Sequence, residues 1–178
     1  YLIVPNHDNV RGKNVINTIG ALHNFKKNKI FKKKSKINDH KLVSCIIGGE
    51  NNHYSFTIKE AMEMCKKIKK LKEKNNTLKF LVISSRRTSE EIKKVIKSEL
   101  NSTADLWLGN GENPYEYSLY NSSFFIITSD STSMISEASI SGMPIYIYQL
   151  PYKRKSIRFE RFHNEFKSLN ITKDLSST

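Results

Sequence analysis

Phe124-Phe-Ile-Ile-Thr-Ser-Asp-Ser-Thr-Ser-Met-Ile-Ser-Glu-Ala138, closing at Gly142-Met143-Pro144, reads as a buried strand, a small polar turn and a helix. The first turn of that helix is crowded with hydroxyls and holds one carboxylate, and a second apolar strand, Ile145-Tyr-Ile-Tyr148, follows directly. Backbone N–H groups at a helix N-terminus lack intrahelical partners and form a ready anion site, to which Ser and Thr side chains add donors. Ser129, Asp130, Ser131, Thr132 and Ser133 supply that setting. Glu137 follows Ser131 by about one and two-thirds turns, where a carboxylate can accept hydrogen bonds from ribose hydroxyls. A nucleoside diphosphate suits this arrangement. Plain N-capping by Asp130 or Ser131 suits it as well, and needs no ligand.

Outward from this stretch the chain alternates between strand and helix patterns. Upstream, Leu42–Ile47 is an apolar run ending in Gly48-Gly49. A long amphipathic helix is predicted over 57–74, with Ile58, Ala61, Met62, Cys65, Ile68 and Leu71 as its apolar stripe. Leu78–Ser84 is a strand, and Ser85-Arg86-Arg87 turns into a helix opening near Ser89, for which Thr88 and Glu91 fit a capping box. A short strand around Leu106-Trp-Leu108 leads through Gly109-Asn-Gly-Glu-Asn113-Pro114 to a short helix near 115–120. After the second apolar strand, a mostly polar helix is expected over 156–169. At the other end, Leu2-Ile-Val-Pro5 reads as a short buried strand, and 15–25 is weakly patterned around Gly20. Alternation with short loops argues for an α/β fold: a Rossmann-like parallel sheet with helices on both faces.

In such sheets ligands bind beyond the carboxyl ends of the strands, where strand order reverses. Those ends here carry Gly48-Gly49-Glu50-Asn51, Ser84 to Thr88, Gly109-Asn-Gly111 and Thr128 to Ser133. Arg86-Arg87 is the most telling pair. The chain has only six arginines, Arg11, Arg86, Arg87, Arg154, Arg158 and Arg161. Two neighbours at one strand end point to a planar guanidinium fork on phosphate or carboxylate, and phosphate is the favoured reading. The bland alternative is a surface ion pair with Glu90 or Glu91, which contributes little. Gly48-Gly49 lets a ligand approach the backbone closely, but it is no GxGxxG fingerprint, and GxxxxGK[ST] is absent. His7-Asp8 can act as a base with its orienter, although a turn-capping Asp beside a surface His accounts for it more simply. Asn113-Pro-Tyr115 is read as a helix start.

With 178 residues and a net charge of +13, the chain fits one domain and part of another. The excess charge is mostly Lys, in clusters at 26–36 and 66–74. No base-stacking motif accompanies them, so no specific nucleic-acid partner is expected, while peripheral contact with anionic membrane fits the charge. Cys45 and Cys65 lie far apart in apolar settings, and the five histidines show no zinc-type pairing, so no metal and no cofactor is expected. The chain opens on Tyr-Leu-Ile-Val-Pro with neither Met nor a charged leader, which reads as a fragment starting inside a strand. No apolar run reaches membrane-spanning length, and a cytoplasmic location is the expectation.

Taken together, Pro5-Asn-His-Asp8, Gly12-Lys-Asn-Val15, Thr18-Ile-Gly-Ala-Leu-His23, Gly48-Gly49, Ser85-Arg-Arg-Thr88, Asn113-Pro-Tyr115 and Thr128 to Ala138 resemble the elongated-mitochondria type of mitochondrial fission family, which has many bacterial members. The resemblance runs in order from Tyr1 to about Tyr148. Ser131 to Glu137 with Gly142-Met-Pro144 is similar, more distantly, to the donor site of GT-B glycosyltransferases. The resemblance implies the carboxyl-terminal domain of a GT-B-like fold, with residues 1–25 as the last strand and hinge of an amino-terminal domain. Residues 26–41 would then be a basic linker and 42–178 the nucleotide-sugar domain. It implies a nucleotide-diphosphate sugar of the UDP or GDP type held without a metal. Gly48, Gly49, Arg86, Arg87, Thr88, Asn113 and Ser129 to Ser133 would bind the substrate, Glu137 would hold the ribose, and His7 and Asp8 would face the cleft as catalytic residues. Two other readings stand beside this one: a non-catalytic adaptor in membrane or organelle fission, and a sugar epimerase of the same fold.

Overall fold

The computed structural model describes residues 1–25 and 41–176. Six parallel strands form the main sheet: β3 (Lys41–Ile47), β4 (Leu78–Ser84), β5 (Asp105–Trp107), β6 (Phe124–Thr128), β7 (Ile145–Tyr148) and β8 (Thr172–Asp174). They lie in the order β5-β4-β3-β6-β7-β8. Counted from β3 this is 3-2-1-4-5-6, the doubly wound order, and it reverses between β3 and β6. Their registers place Cys45 beside both Val82 and Ile126, so the apolar middle of β3 sits at the centre of the sheet. Val43, Cys45, Ile46 and Ile47 are all buried, which explains why β3 reads as a continuous apolar run rather than an alternating one.

Helices α1 (Ile58–Lys74) and α2 (Glu90–Leu100) cover one face. Helices α3 (Tyr115–Asn121), α4 (Thr132–Ser139) and α5 (Ile157–Ser168) cover the other. The first core joins Val43, Cys45 and Ile47 to Met64, Cys65 and Ile68 of α1 and Ile92, Ile96 and Leu100 of α2. The second joins Ile46, Phe125 and Ile127 to Ile135 of α4 and to Phe162 and Phe166 of α5. Each fully buried aliphatic or aromatic side chain contributes about 1.5–3 kcal/mol.

Several expectations need correction. The buried stripe of α1 runs through Ala61, Met64, Cys65 and Ile68, while Met62 and Ile58 are about half exposed. Met62 and Met64 differ by about 200° around the helix, so only one can face the sheet. Ser89, not Thr88, caps α2, accepting from the Ile92 N–H at 3.4 Å. The helix over 156–169 is polar in count yet fixed by two fully buried aromatics, Phe162 and Phe166. Lys41 belongs to β3, and the rest of the basic linker, 26–40, lies outside the described residues.

The amino-terminal segment forms a two-stranded parallel sheet, β1 (Leu2–Pro5) with β2 (Val15–Thr18), joined through a 3-10 turn at Asn6–Asp8. Strand β2 lies in the part read as weakly patterned. β1 is not a buried strand throughout, because only Val4 is buried while Leu2 and Ile3 are about half exposed. The segment rests on α4 and α5. Ala21 donates its N–H to Ser136 Oγ at 2.9 Å, and Asn6 Nδ2 donates to Glu165 Oε1 at 2.5 Å. Gly20, at φ +74°, is needed here, because a Cβ would meet Ser136 Oγ at 2.6 Å and the Phe166 ring at 2.8 Å.

Candidate functional site: the crossover between β3 and β6

The point of strand-order reversal is closed by side chains from three loops. At the end of β3, the Gly48 N–H donates to Thr128 Oγ1 at 2.8 Å and the Gly49 N–H to Asp130 Oδ2 at 3.0 Å. From the turn after β4, Arg87 Nη2 reaches the same Asp130 Oδ2 at 2.7 Å. Asp130 is only 2% exposed, whereas the Arg87 side chain is 40% exposed. The arginine is therefore anchored on a buried carboxylate while its side chain stays partly exposed. Burial pushes the Asp130 carboxyl up from its ordinary range, opposed by Thr128, the Gly49 N–H and the Arg87 guanidinium. Asp130 Oδ1 is buried without a hydrogen-bond partner.

The two glycines are required by this packing. A Cβ on Gly48 would fall inside the Asp130 carboxylate, and one on Gly49 would strike the Arg87 carbonyl. Thr88 ties the next loop down: its hydroxyl lies 3.1 Å from the Ile47 carbonyl and 2.5 Å from that of Gly48, and it accepts from the Ser85 N–H at 3.0 Å. Arg86 is exposed. Neither Glu90 nor Glu91 pairs with Arg87, since Asp130 takes that place and Glu90 instead pairs with Lys93.

On the β6 side, Ser129 is part of the frame. Its N–H donates to the Tyr148 carbonyl and its hydroxyl accepts from the Leu150 N–H, each at 3.0 Å. Its carbonyl lies 2.9 Å from His163 Nε2. Burial holds His163 below its ordinary value, so the neutral ring donating from Nε2 fits the contact. Ser131 caps α4, accepting from the Met134 N–H at 3.4 Å. Thr132 and Ser133 form the first turn, where backbone N–H groups have no intrahelical acceptor, and Ser133 is exposed. One turn on, the Glu137 carboxylate accepts a short hydrogen bond from the Tyr115 hydroxyl, which with burial pushes the phenol above its usual range. Asn113 Oδ1 accepts from the Tyr115 N–H at 3.0 Å and so orients the start of α3.

Gly48, Gly49, Arg87, Thr88, Thr128 and Asp130 thus form one contact network, joined by backbone to Ser129 and to Ser131, Thr132, Ser133 and Glu137. His7 and Asp8 stand apart from it, between the amino-terminal segment and α5. His7 is 1% exposed, not a surface residue; its ring meets Phe162 edge-on at 5.2 Å, and neither ring nitrogen has a hydrogen-bond partner. Its Nε2 is 3.8 Å from Asp8 Oδ1, too long for a hydrogen bond, and Asp8 instead receives Arg158 Nε at 2.5 Å. Burial lowers the His7 pKa, the Asp8 charge opposing it. Among the described residues, no group of three or more His, Cys, Asp or Glu is placed to hold a metal ion, and no helix is long and apolar enough to cross a membrane.

Three participants were not among the site residues expected from the sequence. Tyr115 holds Glu137, His163 holds the Ser129 carbonyl, and Asn51 donates to the Asp130 carbonyl at 3.3 Å while accepting from the His53 and Tyr54 N–H groups. Asn51, two residues past a glycine pair, carried the one available signal, an Asx-type turn.

Comparison with solved structures finds UDP-bound MnaA of S. aureus (13% identity, TM-score 0.49), covering 91% of this chain and 47% of that one. It also finds the UDP-GlcNAc 2-epimerase of Neisseria meningitidis bound to UDP-GlcNAc (19% identity, TM-score 0.44), covering 80% of this chain and 39% of that one. Among curated proteins, uncharacterized protein RP120 of Rickettsia prowazekii (strain Madrid E) is 31% identical over 153 residues, 82% of this chain and 43% of its own length. Mitochondrial fission protein ELM1 of Arabidopsis thaliana is 37% identical over 65 residues, 35% of this chain and 15% of its own length. The chain therefore spans less than half the length of these relatives. A family model described as mitochondrial fission ELM1 matches residues 1–178, and the chain belongs to that family.

Proposed function

We propose that the chain is the nucleotide-diphosphate-sugar-binding half of a GT-B-like glycosyltransferase. The observation that carries this reading is Arg87, anchored on buried Asp130 at the strand-order reversal while its side chain stays partly exposed. A guanidinium held at one edge keeps its remaining donors aimed and loses little freedom on binding an anion. Arg86 and the N–H groups of Thr132 and Ser133 complete a diphosphate cradle of the kind helix N-termini provide. Positive groups fixed there stabilise a departing diphosphate as its charge develops.

Glu137 accepts from the ribose hydroxyls, with Tyr115 sharing or releasing the carboxylate. In this arrangement the chain from Lys41 onward forms the donor domain, and residues 1–25 carry the last strand and hinge of the acceptor-binding domain. His7 and Asp8 reach a substrate only if the contact with α5 opens, because Phe162 covers the ring and Arg158 engages the carboxylate.

The test is calorimetric titration of UDP and GDP into the wild type and Glu137→Gln. Loss of a charge-assisted hydrogen bond predicts affinity weaker by at least ~1.5 kcal/mol in the variant. Equal affinity in both proteins removes Glu137 from the site.

A further inference from the structure

Glu137 lies four residues past Ser133, so the two share a face of α4 with their Cβ atoms about 6 Å apart. The carboxylate therefore stands one turn along the helix from the exposed first turn, on the same side. A Glu on a helix surface ordinarily samples several rotamers, and fixing it costs side-chain entropy. Here a second element does the fixing: Glu137 Oε2 accepts from the hydroxyl of Tyr115, the first residue of α3. One phenol takes one of about four acceptor sites on a carboxylate, which leaves both oxygens able to accept from two further donors.

Tyr115 is itself fixed by groups other than Glu137. Its N–H donates to Asn113 Oδ1 at 3.0 Å, and its carbonyl accepts from Ser118 Oγ at 2.7 Å. Its ring meets Phe25 edge-on with centroids 6.1 Å apart, and both rings pack against the core on this face of the sheet. A tyrosine so held carries its hydroxyl at the end of a rigid ring with only two side-chain torsions to freeze. Burial, and then the Glu137 carboxylate, push the phenol above its usual range, so it remains a donor at neutral pH.

We propose that Tyr115 is a positioning residue for the ribose site: it holds the Glu137 carboxylate on the Ser133 side of α4, where Glu137 accepts from the 2′- and 3′-hydroxyls of a ribonucleoside diphosphate and distinguishes it from a 2′-deoxy counterpart. This inference rests on the donor-site reading and goes beyond it on one point: Tyr115 shares the carboxylate with the nucleotide and is not displaced by it. A carboxylate already in place loses little freedom when the ribose arrives, whereas a free one must first be ordered. The diphosphate cradle at Arg87 and the first turn of α4 makes no use of Tyr115, so the two parts of the site can be weakened separately.

The test is calorimetry at about 150 mM salt with UDP, GDP, their 2′-deoxy counterparts and pyrophosphate. The proteins are the wild type, Tyr115→Phe, Glu137→Ala and the double variant. Tyr115→Phe keeps the ring against Phe25 and removes only the hydroxyl. In it the preferred ribonucleotide should bind about five- to ten-fold more weakly, its 2′-deoxy counterpart should lose less, and pyrophosphate should change by less than about two-fold. In the Glu137→Ala background the same substitution should cost the ribonucleotide less than about two-fold, because the group it positions is gone. Equal losses for ribonucleotide and pyrophosphate would make Tyr115 a purely structural residue and overturn the proposal. So would unchanged or tighter ribonucleotide binding in Tyr115→Phe, or a loss that persists in the Glu137→Ala background. Failure of the folded wild type to bind either nucleotide would instead remove the donor-site reading, and this inference with it.

Discussion

Asp130 Oδ2 receives both the Arg87 guanidinium and the Gly49 N–H, and the carboxylate occupies the space a side chain at position 48 would need. Gly48→Ala should therefore destabilise the fold by about 1–3 kcal/mol through overpacking. The cost should shrink in an Asp130→Ala background, because the obstructing atoms are gone. Gly49→Ala meets the Arg87 backbone carbonyl, so the same second substitution should not relieve it. A double-mutant cycle by urea unfolding separates the two, and equal relief at both positions would contradict the geometry. The sequence showed a glycine pair after a strand and suggested room for a ligand. It gave no sign that a carboxylate 82 residues away takes that room, because packing between distant residues leaves no local pattern. Arg87 was legible through the scarcity of arginine, but its partner was not, since Glu90 and Glu91 are nearer in sequence than Asp130.

At the scale of elements, the cap of α2 and the turn before it have separable roles. Ser89→Ala removes an N-cap acceptor on an exposed helix end and should cost about 1 kcal/mol. Thr88→Val removes a buried hydroxyl that joins the β4–α2 turn to the end of β3, leaving polar groups unpaired there. That change should cost about 1–3 kcal/mol and should also weaken any anion bound by Arg87, whereas Ser89→Ala should leave anion binding unchanged. Urea midpoints and pyrophosphate titration on the same two variants check both statements; a larger cost at Ser89 would reverse the assignment. The central strands were readable because buried parallel strands are apolar without interruption, as in Cys45-Ile-Ile47 and Phe125-Ile-Ile127. β8 was not, because Thr172-Lys-Asp174 is a three-residue edge strand with two exposed polar side chains. Nor could hydropathy alone decide between Met62 and Met64, which are two residues apart and equally apolar.

Across the whole molecule, two buried histidines tie stability to pH. Burial holds both His7 and His163 below the ordinary imidazole value of 6.5. Between the folded and unfolded values the unfolded chain binds more protons, so stability rises with pH through that window. It should be at its full value above about pH 7, fall as pH drops below 6.5, and level off once the folded-state values are passed. Thermal melts between pH 7.5 and 5 should show the fall, and His7→Phe, which keeps a ring against Phe162, should shallow it. A melting temperature flat over that range would mean that the folded and unfolded rings take up protons alike, against the lowered values. The parallel sheet with helices on both faces was foreseeable from strand–helix alternation, yet the contact that joins residues 1–25 to α5 through His7 and Arg158 was not, since α5 lies some 150 residues on. The nucleoside-diphosphate site proposed at the crossover is open to calorimetric titration with UDP, GDP and pyrophosphate at about 150 mM salt. One nucleoside diphosphate should bind saturably, pyrophosphate should bind at least about ten-fold more weakly, and Arg87→Ala should abolish both. Binding of pyrophosphate as tight as that of either nucleotide, or no binding to the folded chain, would contradict it.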